Sequence, residues 1–166
     1  MKNLYLIGGT MGVGKTTVCR ILKQQLPDAV FLDGDWCWDA DPFVVTEETK
    51  AMVLQNICFM LGQFLRCSAY RNVIFCWVMQ DQAVIDDILA RLEPDTRNCR
   101  VHAISLLADA ATVQARLQKD IEGGARTADV VARSLARLPC YRQLNTRKID
   151  TAGRTPGAVA AQIARL

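Results

Sequence analysis

Histidine occurs once, at His102, and no two of the seven cysteines form a CxxC pair. Both shortages exclude a structural zinc site, which needs several N or S ligands at short spacings. The cysteine count is odd, and Cys58 and Cys76 lie inside apolar runs. That pattern reads as free, buried thiols in a reducing compartment rather than a disulfide frame. No run of Lys or Arg occurs and the net charge is only +3, so nothing marks a nucleic-acid surface. The longest clean apolar run, Val73 to Met79, is far too short to span a bilayer. The first residues have neither the length nor the cleavage site of a signal peptide. A cytoplasmic protein without membrane contact is expected. No linker, repeat or low-complexity segment interrupts the 166 residues, which implies a single domain over 1–166.

What is present alternates between short apolar runs and helical periods. Leu4–Ile7, Ala29–Leu32, Asn72–Met79, Arg100–Leu107 and Arg147–Ile149 read as strands. Between them, helices are expected over Thr16–Leu26, from Thr46 to about Tyr70, after Asp81, over Ala110–Ile121 and over Ala128–Leu144. A last helix starts at Thr155-Pro156, a cap followed by an N1 proline. Five strands alternating with helices imply an α/β protein whose parallel sheet is covered on both faces.

Gly9-Thr10-Met11-Gly12-Val13-Gly14-Lys15-Thr16 matches G-x-x-x-x-G-K-[ST]. Chemistry explains the spacing. The loop must wrap a phosphate with backbone N–H groups, so it needs residues that accept unusual dihedrals. The helix that follows points its positive end at the anion. Lys15 then reaches the β- and γ-phosphates, and the Thr16 hydroxyl suits Mg²⁺. Thr17 extends the candidate cofactor-binding set of Gly9 to Thr16. The expected cofactors are ATP and Mg²⁺.

The second strand ends in Asp33-Gly34-Asp35. Ligands of parallel sheets gather at the carboxyl ends of the strands, so both acids should face the crevice of the glycine loop. One carboxylate can hold Mg²⁺ or its water, and the other can orient an acceptor hydroxyl and take its proton. An Asp-Gly turn that only closes a strand is the plainer alternative.

With the loop and Phe31-Leu32-Asp33-Gly34-Asp35 in view, the chain resembles the small P-loop kinases. These include the nucleoside-monophosphate, shikimate and gluconate kinases, and those like chloramphenicol phosphotransferase and zeta-toxin. The resemblance implies a three-layer P-loop NTPase fold with strand order 2-3-1-4-5, helices on both faces and a short lid over about 119–128. It makes Asp33 the magnesium-side acid and Asp35 the base or acceptor ligand. Val113-Gln114-Ala115-Arg116 resembles the L-x-x-R whose arginine packs on adenine. Gly123-Gly124-Ala125-Arg126 resembles a glycine-hinged lid, and Val130-Val131-Ala132-Arg133 the helix after it. Arg126 and Arg133 would then stabilise charge on the migrating phosphoryl group, with Arg137 a weaker candidate one turn on. Lys15, Asp35, Arg126 and Arg133 form the expected catalytic set.

Lys148-Ile149-Asp150-Thr151-Ala152-Gly153 contains D-T-A-G, the GTPase switch sequence. It lies after the last strand, and no N-K-x-D guanine motif accompanies it. The same place resembles the kinases' I-D-T turn, which makes Thr151 and Arg154 candidates for the base pocket. Trp36, Trp38 and Phe43 can line an apolar acceptor pocket or cover the core. Trp77 reads as core near the site, His102 as a strand residue and Asp81 as a helix cap. The third strand holds no carboxylate, unlike many P-loop proteins.

Together these features point to phosphoryl transfer from ATP to a small-molecule or nucleotide acceptor, by a monomer or homodimer. The alternative is a nucleotide-binding regulatory ATPase without an acceptor. The acidic pair discriminates, because a pure binder needs no acceptor carboxylate.

Overall fold

The computed structural model describes residues 1–124 and 129–166. The chain runs β1 (Lys2–Gly8), α1 (Lys15–Gln25), β2 (Ala29–Asp33), a 3-10 turn (Gly34–Cys37), α2 (Glu47–Arg66) and β3 (Asn72–Cys76). It continues through α3 (Gln82–Arg91), α4 (Glu93–Thr96), β4 (Cys99–Leu107), α5 (Ala110–Glu122), α6 (Asp129–Gln143), β5 (Arg147–Asp150) and α7 (Pro156–Ile163). The five strands lie in the order β2-β3-β1-β4-β5, and every neighbouring pair is parallel. This is the three-layer P-loop NTPase fold.

Alternation along each strand builds two cores. On β1, Tyr5 and Ile7 face a core with Val18, Cys19 and Leu22 of α1, Val113 and Leu117 of α5, and Val159 and Ile163 of α7. Leu4 and Leu6 face the other, with Val53, Ile57 and Leu61 of α2 and Ile85 and Ile88 of α3. α6 gives Val130 to the first core and Tyr141 to the second. Each fully buried aliphatic side chain contributes about 1.5–3 kcal/mol, so the two layers rather than any single contact hold the sheet. Every residue of β3 is buried, including Asn72. The Asn72 amide donates to Pro27 O at 2.7 Å and accepts from Asn3 Nδ2 at 2.9 Å, which removes the penalty of a buried amide.

Side chains start the helices as their sequences lead one to expect. Thr46 and Thr49 form a reciprocal capping box on α2. Asp81 Oδ1 accepts from Ala83 N at 3.0 Å, and Thr155 Oγ1 from Ala158 N at 3.2 Å. Three features differ from the sequence reading. β3 ends at Cys76, although apolar residues continue to Met79. Cys76 is opposite Asp33, where β2 ends, and Ile7, whose carbonyl accepts from Trp77 N at 3.2 Å as the last bond to β1, so the pairing of β3 stops there. α2 stops at Arg66, and Tyr70 instead packs edge-on against Phe64. The single turn α4, with Pro94 in its first positions, had no periodic signal.

Candidate active site

The carboxyl ends of β1, β2, β3 and β5 open on one cleft of about 450 Å³. Gly14, at the mouth of α1, has φ 95° and ψ 22°, a left-handed conformation that strains any other residue. α1 has no side-chain cap, so its first N–H groups stay directed into the loop. Lys15 Nζ donates to Gly9 O at 2.7 Å and Thr10 O at 3.0 Å, which lays the ammonium across the loop. Thr10 is buried, and its hydroxyl donates to Ser134 O at 3.0 Å, anchoring the loop to α6.

The acids meet the loop through Thr16. Its hydroxyl donates to Asp33 Oδ2 at 2.7 Å, while Asp33 Oδ1 accepts from Asp35 N at 3.1 Å. Asp33 is buried and oriented, and its carboxylate holds the backbone of the second acid. Asp35 also lines the cleft. Gly34 between them has a steric reason: a Cβ there would sit 2.5 Å from the Trp77 ring. Trp77 thus forms a wall of the cleft while packing against the second core.

Opposite the acids, Arg116 of α5 clasps the loop to the turn after β5. Its guanidinium donates to Val13 O at 3.1 Å, Thr151 Oγ1 at 3.0 Å and Thr151 O at 3.0 Å. A planar fork is suited to such multiple bonds where an ammonium is not. Thr151 is itself buried and donates to Leu107 O from both its backbone N–H, at 2.8 Å, and its hydroxyl, at 3.1 Å. Arg154 lines the cleft and donates to Asp150 O at 3.1 Å and Gln162 Oε1 at 2.7 Å.

The D-T-A-G sequence is thereby a turn, with Asp150 Oδ1 accepting from Ala152 N at 2.9 Å. Arg133 lies outside the described lining of the cleft and pairs with Asp129 at 3.1 Å along α6. Arg137 is likewise outside it. Arg126 falls in 125–128, outside the described residues. Of the expected lid, 119–122 is the last turn of α5. Among the charged lining residues, Lys119 and Asp120 were not singled out by the sequence reading, which placed them only within the lid range. They stand three and four positions after Arg116, so the helical period that places Arg116 at the cleft places them there too.

Among the described residues, no three His, Cys, Asp or Glu side chains gather as a metal cage. Mg²⁺ needs none. It is held by one or two hard oxygen ligands, water and substrate phosphates, and the Thr16–Asp33 pair offers such oxygens. No described helix is long and apolar enough to cross a membrane.

A family model for an AAA domain matches residues 6–135. The chain belongs to this AAA domain family. No curated protein matches it in sequence. In structure the AAA domain is similar to the tunicamycin resistance protein of Deinococcus radiodurans, at TM-score 0.76 and 25% identity over 99% of this chain and 95% of that one. It is similar to a gluconokinase from Sinorhizobium meliloti at 0.66 and 15%, covering 98% and 94%. With shikimate kinase from Acinetobacter baumannii the values are 0.64 and 21%, covering 99% and 92%. The AAA domain thus has the fold of the small P-loop kinases.

Proposed function

We propose that the chain is an ATP-dependent phosphotransferase that moves the γ-phosphoryl group to a small-molecule or nucleotide acceptor. One observation carries this reading: the phosphate loop and two carboxylates, Asp33 and Asp35, line the same cleft. A binder without an acceptor has no use for the second carboxylate. The kinases among the fold's neighbours support the same class of reaction.

In this scheme the loop N–H groups and Lys15 hold the β- and γ-phosphates. Thr16 and Asp33 would hold Mg²⁺, which when bound would supply charge neutralisation to the transferring group. Asp35 orients the acceptor and takes its proton. Thr151, Arg116 and Arg154 border the adenine, and Arg126 supplies positive charge from its own segment. Arg133, which pairs with Asp129 on the exposed side of α6, stays in the proposed set with Arg126 as a second positive charge for the migrating phosphoryl group.

The test is ADP release with ATP and Mg²⁺ across neutral, cationic and anionic hydroxyl compounds and nucleotides. Turnover with one acceptor should fall at least about 100-fold in Lys15→Ala and in Asp35→Asn, since charge stabilisation and proton transfer each contribute on that scale. ATP binding with no acceptor-dependent release anywhere in the panel would favour a regulatory ATPase.

A further inference from the structure

The 3-10 turn after β2 serves two cavities with consecutive residues. Asp35 lines the cleft, and Trp36 lines a second, open groove of about 590 Å³. Trp36, Trp38, Pro42, Val44 and Met52 make its walls. Trp36 is 57% exposed, Val44 50% and Met52 39%, an apolar surface that water would otherwise penalise. The segment is nonetheless built firmly. Trp36 packs on Phe31 with ring centroids 5.3 Å apart, Trp38 on Phe43 at 4.3 Å, and Asn56 Nδ2 donates to Cys37 O at 3.1 Å.

The charge of this region is one-sided. Residues 34–52 carry Asp35, Asp39, Asp41, Glu47 and Glu48 against Lys50 alone, a net of −4. Lys50 is paired with Glu47 at 2.8 Å, and the described lining of the groove holds no Lys, Arg or His. A phosphate- or carboxylate-bearing compound is bound through charge-assisted bonds to Arg or Lys, which the described lining lacks. Aromatic walls with an acidic border take an uncharged ring or an ammonium instead.

We propose that the groove holds the body of the phosphoryl acceptor, and that the acceptor is an aromatic or alkyl alcohol without an anionic group. The proposal rests on the phosphotransfer reading above and narrows it. The acceptor hydroxyl oxygen bonds to the γ-phosphorus of ATP as the bond from that phosphorus to the β–γ bridging oxygen breaks. ADP leaves with the electron pair, and the hydroxyl proton passes to the Asp35 carboxylate. The step needs no reactant beyond ATP and the alcohol.

The experiment is ligand-observed NMR on the full chain with naphthylethanol and its matched anion, naphthylacetate, beside a nucleotide titration. The alcohol should bind about tenfold more tightly than the anion, because the surrounding carboxylates repel the latter. Trp36→Ala should weaken the alcohol about tenfold by removing an aromatic wall. Met52→Lys should reverse the preference toward the anion. Both substitutions are at exposed positions, and a cooperative unfolding transition shows that each variant is folded. Equal or tighter binding of the anion to wild type, or indifference to both variants, overturns the proposal. So does a groove-buried dimer that the alcohol fails to displace. Normal ATP affinity with a preference for the anion sinks this inference alone. Absence of ATP binding sinks the phosphotransfer reading itself, and the acceptor groove with it.

Discussion

At the scale of single residues, the constraint on Gly34 comes from a neighbour remote in sequence. Gly34→Ala places a methyl group 2.5 Å from the Cγ and Cδ1 of Trp77 and 2.9 Å from its Cβ. The ring cannot yield at its root without moving β3's exit, so the substitution should cost about 1–3 kcal/mol in urea unfolding. Trp77→Ala in the same chain should recover part of that cost. Strict additivity in the double-mutant cycle would show that the two residues do not touch. The sequence displays Asp33 and Asp35 but not this reason for the glycine between them. The phosphate loop is the opposite case. Its spacing is dictated by local backbone geometry, so Gly9 to Thr16 can be read without knowing what packs around them. Arg116 was recognisable from a family pattern, yet its bonds to Val13 and Thr151 depend on folding and are written nowhere near it in the chain.

At the scale of elements, strand existence was legible and strand length was not, because length depends on partners. Val73 to Phe75 are apolar and paired on both sides, whereas Trp77 to Met79 are apolar and used elsewhere, in the cleft wall and the second core. The β1–β4 pair adds a pH dependence. Tyr5 and His102 are opposite one another, stacked with centroids 4.7 Å apart and planes at 11°. Burial, then Arg100 and Arg147, hold the His102 imidazole below its usual value, and its Nε2 is buried without a partner. The folded state therefore resists a proton that the unfolded chain accepts near pH 6.5. This stability is present in full above that value and is lost as the pH falls through it toward the folded state's lower pKa. His102→Phe keeps a ring against Tyr5 and should flatten the fall between pH 7 and 5. An unchanged slope in the variant assigns the dependence to other groups.

For the molecule as a whole, the cysteines report on packing. Cys67 is exposed, whereas Cys19 of α1 and Cys76 of β3 are buried at the centre. Burial, reinforced by the neighbouring Cys76, pushes the Cys19 thiol well up, so almost no thiolate is present at neutral pH. A thiol reagent followed by mass spectrometry should modify Cys67 quickly, and Cys19 and Cys76 only as fast as the chain opens globally. Equal rates at Cys19 and Cys67 would mean that α1 does not seal the sheet. Overall architecture was readable because two-faced burial leaves continuous apolar strands and one-faced helices. The second cavity was legible only in part: Trp36 and Trp38 read as possible pocket walls, whereas Met52 is remote in sequence and meets them only when α2 folds back.

The clasp on the phosphate loop has a bearing on biosynthesis. A ribosome that has completed β4 has made every residue of the loop, but neither Arg116 nor Thr151. Ser134, which anchors Thr10, is also still to come, as are the α7 residues that pack beside α1. The loop is thus among the first pieces translated and the last to be held in shape, so a nascent chain has nothing firm with which to grip a nucleotide.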